Sequence, residues 1–397
     1  MIVRLRFIMS LLVLACLGWM GWKSYSYLFD TDAPMLIVNG LEREAYYAGD
    51  IQCTVSTDKR CKLSIWLDGQ LLTTNDEICR VDQEYPFTIP TRAINNGKHT
   101  LMITGVDTTY HHNKTTRSSE FNVDNVPLQA AFVKPESDYK VFQGRTLHVQ
   151  FQVNKEIKDA KVRALAKTWS CIPEAPGSFI YECYIPIACE EQPNEYLFSI
   201  EVADKVGNTL SLDNKFQIVS FPFKKQTLQF DQEKLKEEEE LGLTESLEKA
   251  IEKISYSSPG EKMWRGPFCT PIDIDRITCE FGTVRTTQEK GRYIHKALDV
   301  INTPKSVVWA PQDGVVALKE RYASSGNTVI IDHGCGVLSL FFHLDSFANI
   351  EIGQKLAKGN PIGTIGKTGY ATGYHLHWEQ RIHNIAIDPI QWTKSTF

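Results

Sequence analysis

The sequence lacks an excess of positive charge. Its 43 lysine and arginine residues are outnumbered by 48 aspartate and glutamate residues, which gives a formal net charge of -5 at pH 7. Proteins that bind nucleic acid usually present a basic face to the phosphates. The charge balance therefore argues against nucleic acid as a partner.

The ten cysteines include no Cys-x-x-Cys pair. Cysteines at that spacing are the usual sign of a zinc site built from thiolates, so cysteine ligation of zinc is not predicted here. After Cys16 the cysteines fall in three groups: Cys53, Cys61 and Cys79; Cys171, Cys183 and Cys189; Cys269, Cys279 and Cys335. Each group has enough thiols for one local disulfide, which is typical of an exported protein. The alternative is that several of them are buried thiols.

The N-terminal segment contains an apolar run with no small-x-small cleavage site after it. The run extends from Phe7 to Trp22, and Arg4 and Arg6 precede it. Positive charge before an apolar run tends to stay in the cytoplasm. We therefore expect residues 1–30 to be a signal anchor in the inner membrane, with the rest of the chain on the periplasmic side of the cytoplasmic membrane. A cleaved signal peptide and lipid attachment at Cys16 are the two alternatives.

Residues 33–221 contain short alternating runs that predict β-strands. In residues 33–126, Asp68-Gly69 and Asn96-Gly97 predict tight hairpin turns. In residues 127–221, the run Thr146 through Val153 alternates apolar and polar side chains. Both stretches are similar to bacterial immunoglobulin-like modules, so two immunoglobulin-like β-sandwiches are predicted. A spacer role is favoured over wall binding, because the sequence shows no aromatic platform.

The composition changes after the second module. Residues 230–254 are rich in Glu, Lys and Leu and contain several i,i+4 charge pairs, which predicts a helix. The breaker cluster Ser257-Ser258-Pro259-Gly260 follows it. We predict a helical linker over residues 228–256 and a separate domain over residues 262–397. The helix is interpreted as a solvated connection, with a regulatory arm as the alternative.

The strongest chemical pattern in the chain consists of His295, Asp299, His343, His375 and His377. Side chains alternate between the two faces of a strand, so His375 and His377 share one face. His295 and Asp299 share a face in the same way, and only the small Ala297 lies between them on it. Catalytic zinc takes three His or carboxylate ligands and keeps one position for water. His295, Asp299 and one histidine of the later pair satisfy that requirement, which leaves two imidazoles for proton transfer.

The region from Cys279 to Trp392 resembles the lysostaphin-type, or LytM-like, peptidoglycan endopeptidases, which are zinc metallopeptidases. The matching motifs follow one another as in that family: Phe281-Gly282, His295 through Asp299, Asp332-His333-Gly334, His343-Leu344, Gly363 through Gly369, His375 through Glu379 and Asp388-Pro389. The chain departs from the family at Ala297, Tyr374 and Trp378, where Gly, Pro and Phe are usual. These departures concern the width of the groove and leave the metal ligands unchanged.

The resemblance implies a role for each of the five residues. His295, Asp299 and His377 would bind zinc, and His343 and His375 would serve catalysis. Either of the last two would take a proton from water, and the other would donate a hydrogen bond to the oxyanion. His333, which the family does not use as a ligand, is expected to be structural.

The chain is thus predicted to be mainly β, with a C-terminal antiparallel β-sheet LytM-like peptidase domain preceded by two immunoglobulin-like β-sandwiches and a connecting helix. Its predicted function is that of a zinc metalloendopeptidase that hydrolyses peptide cross-links of peptidoglycan outside the cytoplasm. Peptidoglycan peptide stems are the expected substrate. The alternative is a non-catalytic wall-binding activator of another hydrolase, although such relatives typically lack part of the zinc set that is complete here.

Overall fold

The chain folds into two compact units. The computed structural model describes residues 2–79, 81, 83–135, 139–227, 244–287 and 291–394. The first unit comprises residues 1–127 with 205–208, and the second comprises residues 128–204 with 209–397. Strands form most of the regular structure, so the predicted mainly β fold class is confirmed.

The first unit is a β-sandwich that follows an N-terminal helix. The described elements are α1 (Ile2–Phe29), β1 (Leu36–Asn39), β2 (Tyr46–Tyr47), β3 (Ile51–Thr57), β4 (Cys61–Leu67), β5 (Gln70–Cys79), β6 (Tyr85–Ile89), a short 3₁₀ helix (Thr91–Ala93), β7 (Gly97–Asp107) and β8 (Lys114–Val123). One sheet has the order β1-β3-β6 and the other the order β2-β8-β7-β4-β5. Every second residue of β3 and of β4 is buried, so both sheets contribute to one apolar core.

The helix α1 contains the apolar run in which a signal anchor was predicted. In the described part of the chain, no helix combines the length and the hydropathy needed to cross a membrane. The anchor, and the location that it would give the chain, stay predictions.

The second unit begins with another two-sheet module. Its described strands are β9 (Ala130–Phe132), β10 (Lys140–Phe142), β11 (Thr146–Val153), β12 (Ile157–Ala164), β13 (Lys167–Ser170), β14 (Ile172–Pro173), β15 (Ile180–Pro186), β16 (Glu195–Asp204) and β17 (Thr209–Val219). The sheet orders are β10-β17-β16-β12-β13 and β14-β15-β11-β9. Phe151 from one sheet and Ile200 from the other are fully buried in a shared core. That the two β-sandwiches are immunoglobulin-like stays a prediction.

The C-terminal domain is built around a large antiparallel sheet. The described elements are β18 (Lys225–Thr227), α2 (Thr244–Ser257), β19 (Arg276–Cys279), β20 (Thr283–Thr287), β21 (Gly291–His295), β22 (Leu298–Ile301), β23 (Val307–Trp309), β24 (Gly314–Tyr322), β25 (Gly326–Asp332), β26 (Val337–Leu344), β27 (Ser346–Phe347), β28 (Lys355–Leu356), β29 (Pro361–Thr364), β30 (Leu376–Ile382), β31 (Ile385–Ile387) and α3 (Pro389–Lys394). The main sheet has the order β19-β22-β30-β26-β25-β24-β28, with β31 beside β30. Two smaller sheets have the orders β18-β20-β21 and β23-β29-β27.

The helix α2 packs on the main sheet and is not a solvated connection. Leu247 and Ile251 are buried in one apolar cluster with Leu340 and Phe342 of β26. The first part of the predicted linker, residues 228–243, lies outside the described residues.

The second β-sandwich is joined to the C-terminal domain by a shared core. Tyr184 of β15 packs with Trp264 and Trp392 of the C-terminal domain, and all three are buried. The indole N–H of Trp392 donates to Oγ1 of Thr146 at 3.0 Å. The module is therefore fixed to the domain that carries the histidines.

The described cysteines form no disulfide bond in the structure. Cys61 and Cys79 are nevertheless directly opposite each other on β4 and β5. The predicted local disulfides are therefore not confirmed.

Candidate metal centre

Three side chains lie in one row across the edge of the main sheet. Asp299 on β22 is opposite Cys279 on β19 and opposite His377 on β30. Directly opposite residues of antiparallel strands project from the same face of the sheet. The row therefore brings a thiol, a carboxylate and an imidazole together, although they are distant in sequence.

His295 reaches this row from a different sheet. The expectation that His295 and Asp299 share one continuous strand is wrong, because β21 ends at His295 and pairs with β20, whereas β22 starts at Leu298 and pairs with β19 and β30. The chain changes sheets at Lys296 and Ala297, and the Ala297 side chain is fully buried. Nε2 of His295 still lies 3.1 Å from Oδ2 of Asp299.

Asp299 is contacted by both predicted histidine ligands. Nδ1 of His377 lies 2.9 Å from Oδ1 of Asp299, and the rings of His295 and His377 are 5.2 Å apart. Burial alone would raise the pKa of the Asp299 carboxyl, but its hydrogen bonds with the two imidazoles hold the pKa well below its usual range. Burial would likewise lower the pKa of His377, whereas its two carboxylate partners, Asp299 and Glu379, raise it to about 9. The imidazole of His377 and the carboxylate of Asp299 thus lie in direct contact at the centre of the site.

His377 is held from behind by a carboxylate and an aromatic ring. Nε2 of His377 lies 3.1 Å from Oε1 of Glu379, whose other oxygen accepts a hydrogen bond from Nε of Arg381 at 2.8 Å. The ring of Phe342 stacks on the His377 ring at 5.0 Å with an angle of 7°. These contacts leave Nδ1 as the nitrogen that faces Asp299.

His343 and His375 form a second pair beside the row, with rings 4.8 Å apart. Nδ1 of His343 lies 2.9 Å from the Thr368 carbonyl oxygen, and Nδ1 of His375 lies 2.9 Å from that of Gly373. A carbonyl oxygen can only accept, so in both rings Nδ1 carries the hydrogen and Nε2 of the neutral form is a proton acceptor. Burial and the neighbouring imidazoles lower the pKa of His343 to about 3, which keeps it neutral.

The backbone at His343 is strained. Its φ of 63° lies in the left-handed region, which is uncommon for a residue other than glycine. The conformation is held by a hydrogen bond from the His343 N–H to the Ser325 carbonyl at 2.8 Å. Strain of this kind is retained where the surrounding structure fixes a side chain in a defined place.

The structure thus brings all five predicted residues together and adds two that the sequence did not reveal. One ligand-capable atom from each of Cys279, His295 and Asp299 lies within 4.8 Å of the other two, and all three residues are buried. A guanidinium nitrogen of Arg285 lies 3.5 Å from Oδ2 of Asp299. Arg285 follows Phe281-Gly282 closely in sequence, but the face of the sheet on which its side chain lies is set by the pairing of β20 with β21. Cys279 could have been found only from the pairing of β19 with β22.

The donor atoms fit a divalent metal ion. Two imidazole nitrogens and a carboxylate form the ligand set of several catalytic zinc sites, and neutral imidazole and carboxylate are the forms that bind. His295 and His377 each lie within hydrogen-bond distance of Asp299, so the three residues offer this set in one place. They are therefore the residues that would hold the ion.

The match to a known family covers the segment that carries all five residues. Residues 293–389 match the model of peptidase family M23. The C-terminal domain belongs to peptidase family M23. The lysostaphin-type resemblance of this region is thereby confirmed.

Curated relatives match about a third of this chain. The DD-carboxypeptidase/endopeptidase Mpg of Neisseria meningitidis is 34% identical over 120 residues, which cover 30% of this chain and 27% of that protein. The peptidoglycan DD-endopeptidase ShyC of Vibrio cholerae is 30% identical over 135 residues, which cover 34% of this chain and 31% of that protein. The chain thus matches less than a third of the length of each relative.

Among solved structures, the catalytic domain of lysostaphin from Staphylococcus simulans is 23% identical, with a TM-score of 0.25. The match covers 33% of this chain and 90% of that one. A crystal structure from Pseudomonas aeruginosa, described as a candidate peptidase M23, is also 23% identical. Its TM-score is 0.44, and the match covers 64% of this chain and 94% of that one.

Proposed function

We propose that this protein is a zinc metalloendopeptidase that hydrolyses peptide cross-links of peptidoglycan outside the cytoplasm. The observation that supports it most is the convergence of His295, Asp299 and His377 next to the His343–His375 pair, inside the M23 domain. The Vibrio cholerae relative is named a peptidoglycan DD-endopeptidase and the Neisseria meningitidis relative a DD-carboxypeptidase/endopeptidase, which supports the substrate class.

Zinc is the proposed metal because of the ligand types. Two imidazoles and one carboxylate are ligands that zinc prefers, and a site with three protein ligands keeps a position for water or substrate. When bound, zinc polarises the scissile carbonyl and lowers the pKa of its water toward about 7. Glu379 accepts from Nε2 of His377, so it holds the tautomer in which Nδ1 is available to the ion.

The second histidine pair would carry out the proton transfers. Nε2 of a neutral His343 or His375 can accept a proton from the attacking water, since Nδ1 of each ring is engaged by a carbonyl. The other histidine can donate a hydrogen bond to the oxyanion of the tetrahedral intermediate when its Nε2 carries a proton. Burial and the neighbouring imidazoles lower the pKa of His343 to about 3, so in the ground state this ring is a weak proton acceptor. Nε2 of His375 lies 4.0 Å from Oδ1 of Asp299, so this nitrogen faces the proposed metal site.

The proposed location rests on the N-terminal segment and the cysteines. Arg4 and Arg6 before the apolar run favour export of everything that follows. Directly opposite residues in an antiparallel pair have Cα atoms about 4.5–5.5 Å apart, within the range that a disulfide spans. Cys61 and Cys79 occupy such positions, so an oxidising compartment would allow them to join.

Digestion of purified sacculi tests the proposed function. The full chain loaded with zinc should release cross-link fragments that mass spectrometry can identify, and the His375→Ala variant should release almost none. Hydrolysis that appears only when a second hydrolase is added would support the activator alternative instead. No release under either condition would overturn the assignment to peptidoglycan.

A further inference from the structure

We infer that the helix α2 is a structural part of the metal centre, and that Glu248 on this helix is a positioning residue for the metal ligand His377. The inference rests on the proposed metal site. The helix precedes the segment that matches family M23, so this support comes from outside the matched residues.

A continuous chain of charged hydrogen bonds joins the helix to His377. Both carboxylate oxygens of Glu248 accept from Arg381, at 2.7 Å from Nη1 and 2.9 Å from Nη2. Nε of Arg381 donates to Oε2 of Glu379 at 2.8 Å, and Oε1 of Glu379 lies 3.1 Å from Nε2 of His377. Glu248 binds Arg381 with both oxygens, and Glu379 bridges Arg381 and His377, so the position of Arg381 fixes that of Glu379.

Glu248 fixes the orientation of the planar guanidinium of Arg381. Glu248 engages both terminal nitrogens, and Nη1 also donates to Oδ1 of Asn384 at 2.9 Å, which fixes the plane of the guanidinium. In that plane only Nε faces Glu379, so Glu379 keeps its second oxygen for His377. Without Glu248, the guanidinium of Arg381 can rotate and donate hydrogen bonds to both oxygens of Glu379. The carboxylate would then lose its hydrogen bond with His377.

Because this series of hydrogen bonds is largely buried, it is sensitive to the loss of any one of its side chains. The side chains of Arg381 and Glu379 are 10% and 8% exposed, whereas Glu248 is 47% exposed at the surface end. Buried charges interact more strongly than exposed ones because water screens them less.

The same helix also supports His377 through apolar contacts. Leu247 and Ile251 are buried in the cluster that contains Phe342, and the Phe342 ring stacks on His377. Phe342 and His377 are direct neighbours on β26 and β30. The helix α2 thus supports the His377 imidazole in two ways, through the hydrogen bonds of Glu248 and through the apolar packing of Phe342. A helix that only connected two domains would need neither.

The test compares zinc affinity in two helix variants of the full chain. Glu248→Gln removes the charge of the carboxylate that binds Arg381, and Glu252→Gln removes an exposed carboxylate one turn later on the same helix. Zinc affinity is measured by competition with a chromogenic chelator, and the melting temperature of the metal-free protein is recorded in parallel. Mutation of a group that hydrogen-bonds a metal ligand typically weakens metal binding by about 10- to 100-fold. We expect Glu248→Gln to weaken zinc binding by about 3- to 10-fold, because Glu248 reaches His377 only through Arg381 and Glu379.

A double-mutant cycle separates positioning from general stability. Glu379→Gln alone should weaken zinc binding more than Glu248→Gln, and the two together should lose no more than Glu379→Gln alone, since Glu248 acts through Glu379. Equal zinc affinity in the Glu248→Gln and Glu252→Gln variants, or additive losses in the double variant, would overturn the inference. A wild-type chain that binds no zinc would overturn the proposed function as well, so the two failures are distinguishable.

Discussion

Asp299 and His377 face each other across β22 and β30, with Nδ1 of the imidazole 2.9 Å from Oδ1 of the carboxylate. Their register is fixed by the ladder that joins the two strands, so neither side chain depends on a loop for its position. A metal ion placed between them would find its ligands already oriented.

The first prediction concerns metal content. His295→Ala, Asp299→Ala and His377→Ala should each reduce zinc from about one ion per chain to a small fraction, because two protein ligands are too few for a stable site. Elemental analysis after dialysis measures this. His111→Ala, which changes an exposed histidine, is the control and should keep its zinc. Full zinc content in two of the three ligand variants would rule out this ligand set.

The second prediction separates chemistry from binding. His343→Ala and His375→Ala should retain zinc and lose about 10²- to 10⁴-fold in the rate of sacculus hydrolysis, because each removes a group that accepts the proton of water or stabilises the oxyanion. Fragment release at saturating zinc measures the rate. If either variant turns over at nearly the normal rate, that histidine is not part of the mechanism.

The third prediction concerns acid stability. His333 is fully buried, and burial lowers its pKa from 6.5 to about 4. Because the unfolded imidazole takes up a proton near pH 6.5, the unfolded state binds more protons between pH 6.5 and about 4. Stability should therefore fall as the pH is lowered through this window, by up to about 3 kcal/mol from this group.

Urea unfolding at pH 7.5, 6 and 4.5 checks the size of this effect. His333→Gln should have a lower midpoint at pH 7.5, since it loses the contacts with Asp313 and Ser339, but a flatter dependence on pH. His112→Gln, which changes an exposed side chain, should keep the wild-type slope. An unchanged slope in His333→Gln would assign the acid sensitivity to other groups.

The fourth prediction concerns location. The chain should be found in the membrane fraction, and protease added from the extracytoplasmic side should digest its M23 domain. In the same cells, Cys61 and Cys79 should resist alkylation until a reductant is added. A shortened soluble form on an immunoblot would indicate a cleaved signal peptide, and acyl labelling that Cys16→Ala abolishes would indicate a lipoprotein.

Local patterns were enough to select the five candidate residues that the structure brings together, because such patterns depend on few residues. His375 and His377 were recognisable from their spacing and neighbours, and the structure places both beside Asp299. The change of sheets between His295 and Leu298 was not predictable, since it depends on which distant strands pair with β21 and β22. The position of Cys279 was missed for the same reason.

The docking of α2 was missed although a signal for it exists. Leu247, Ala250, Ile251 and Ile254 recur at the i, i+3, i+4, i+7 spacing of an apolar helix face. The strong charge pattern of the residues before them drew the interpretation toward a solvated helix. The hydrogen bond that Arg381 donates to Glu248 joins residues 133 positions apart, so no local pattern could reveal it.

Because the ligands belong to two different sheets, a bound ion would also link these sheets to each other. His295 belongs to the small sheet β18-β20-β21, whereas Asp299 and His377 belong to the main sheet. An ion bound by all three residues would hold the strand pair β20–β21 against the main sheet. At a free concentration 100 times its dissociation constant, the ion would stabilise this folded arrangement of the two sheets by about 2.7 kcal/mol. Starvation for zinc would then loosen one wall of the cleft as well as stop the chemistry, and proteases would reach that hairpin before the rest of the domain.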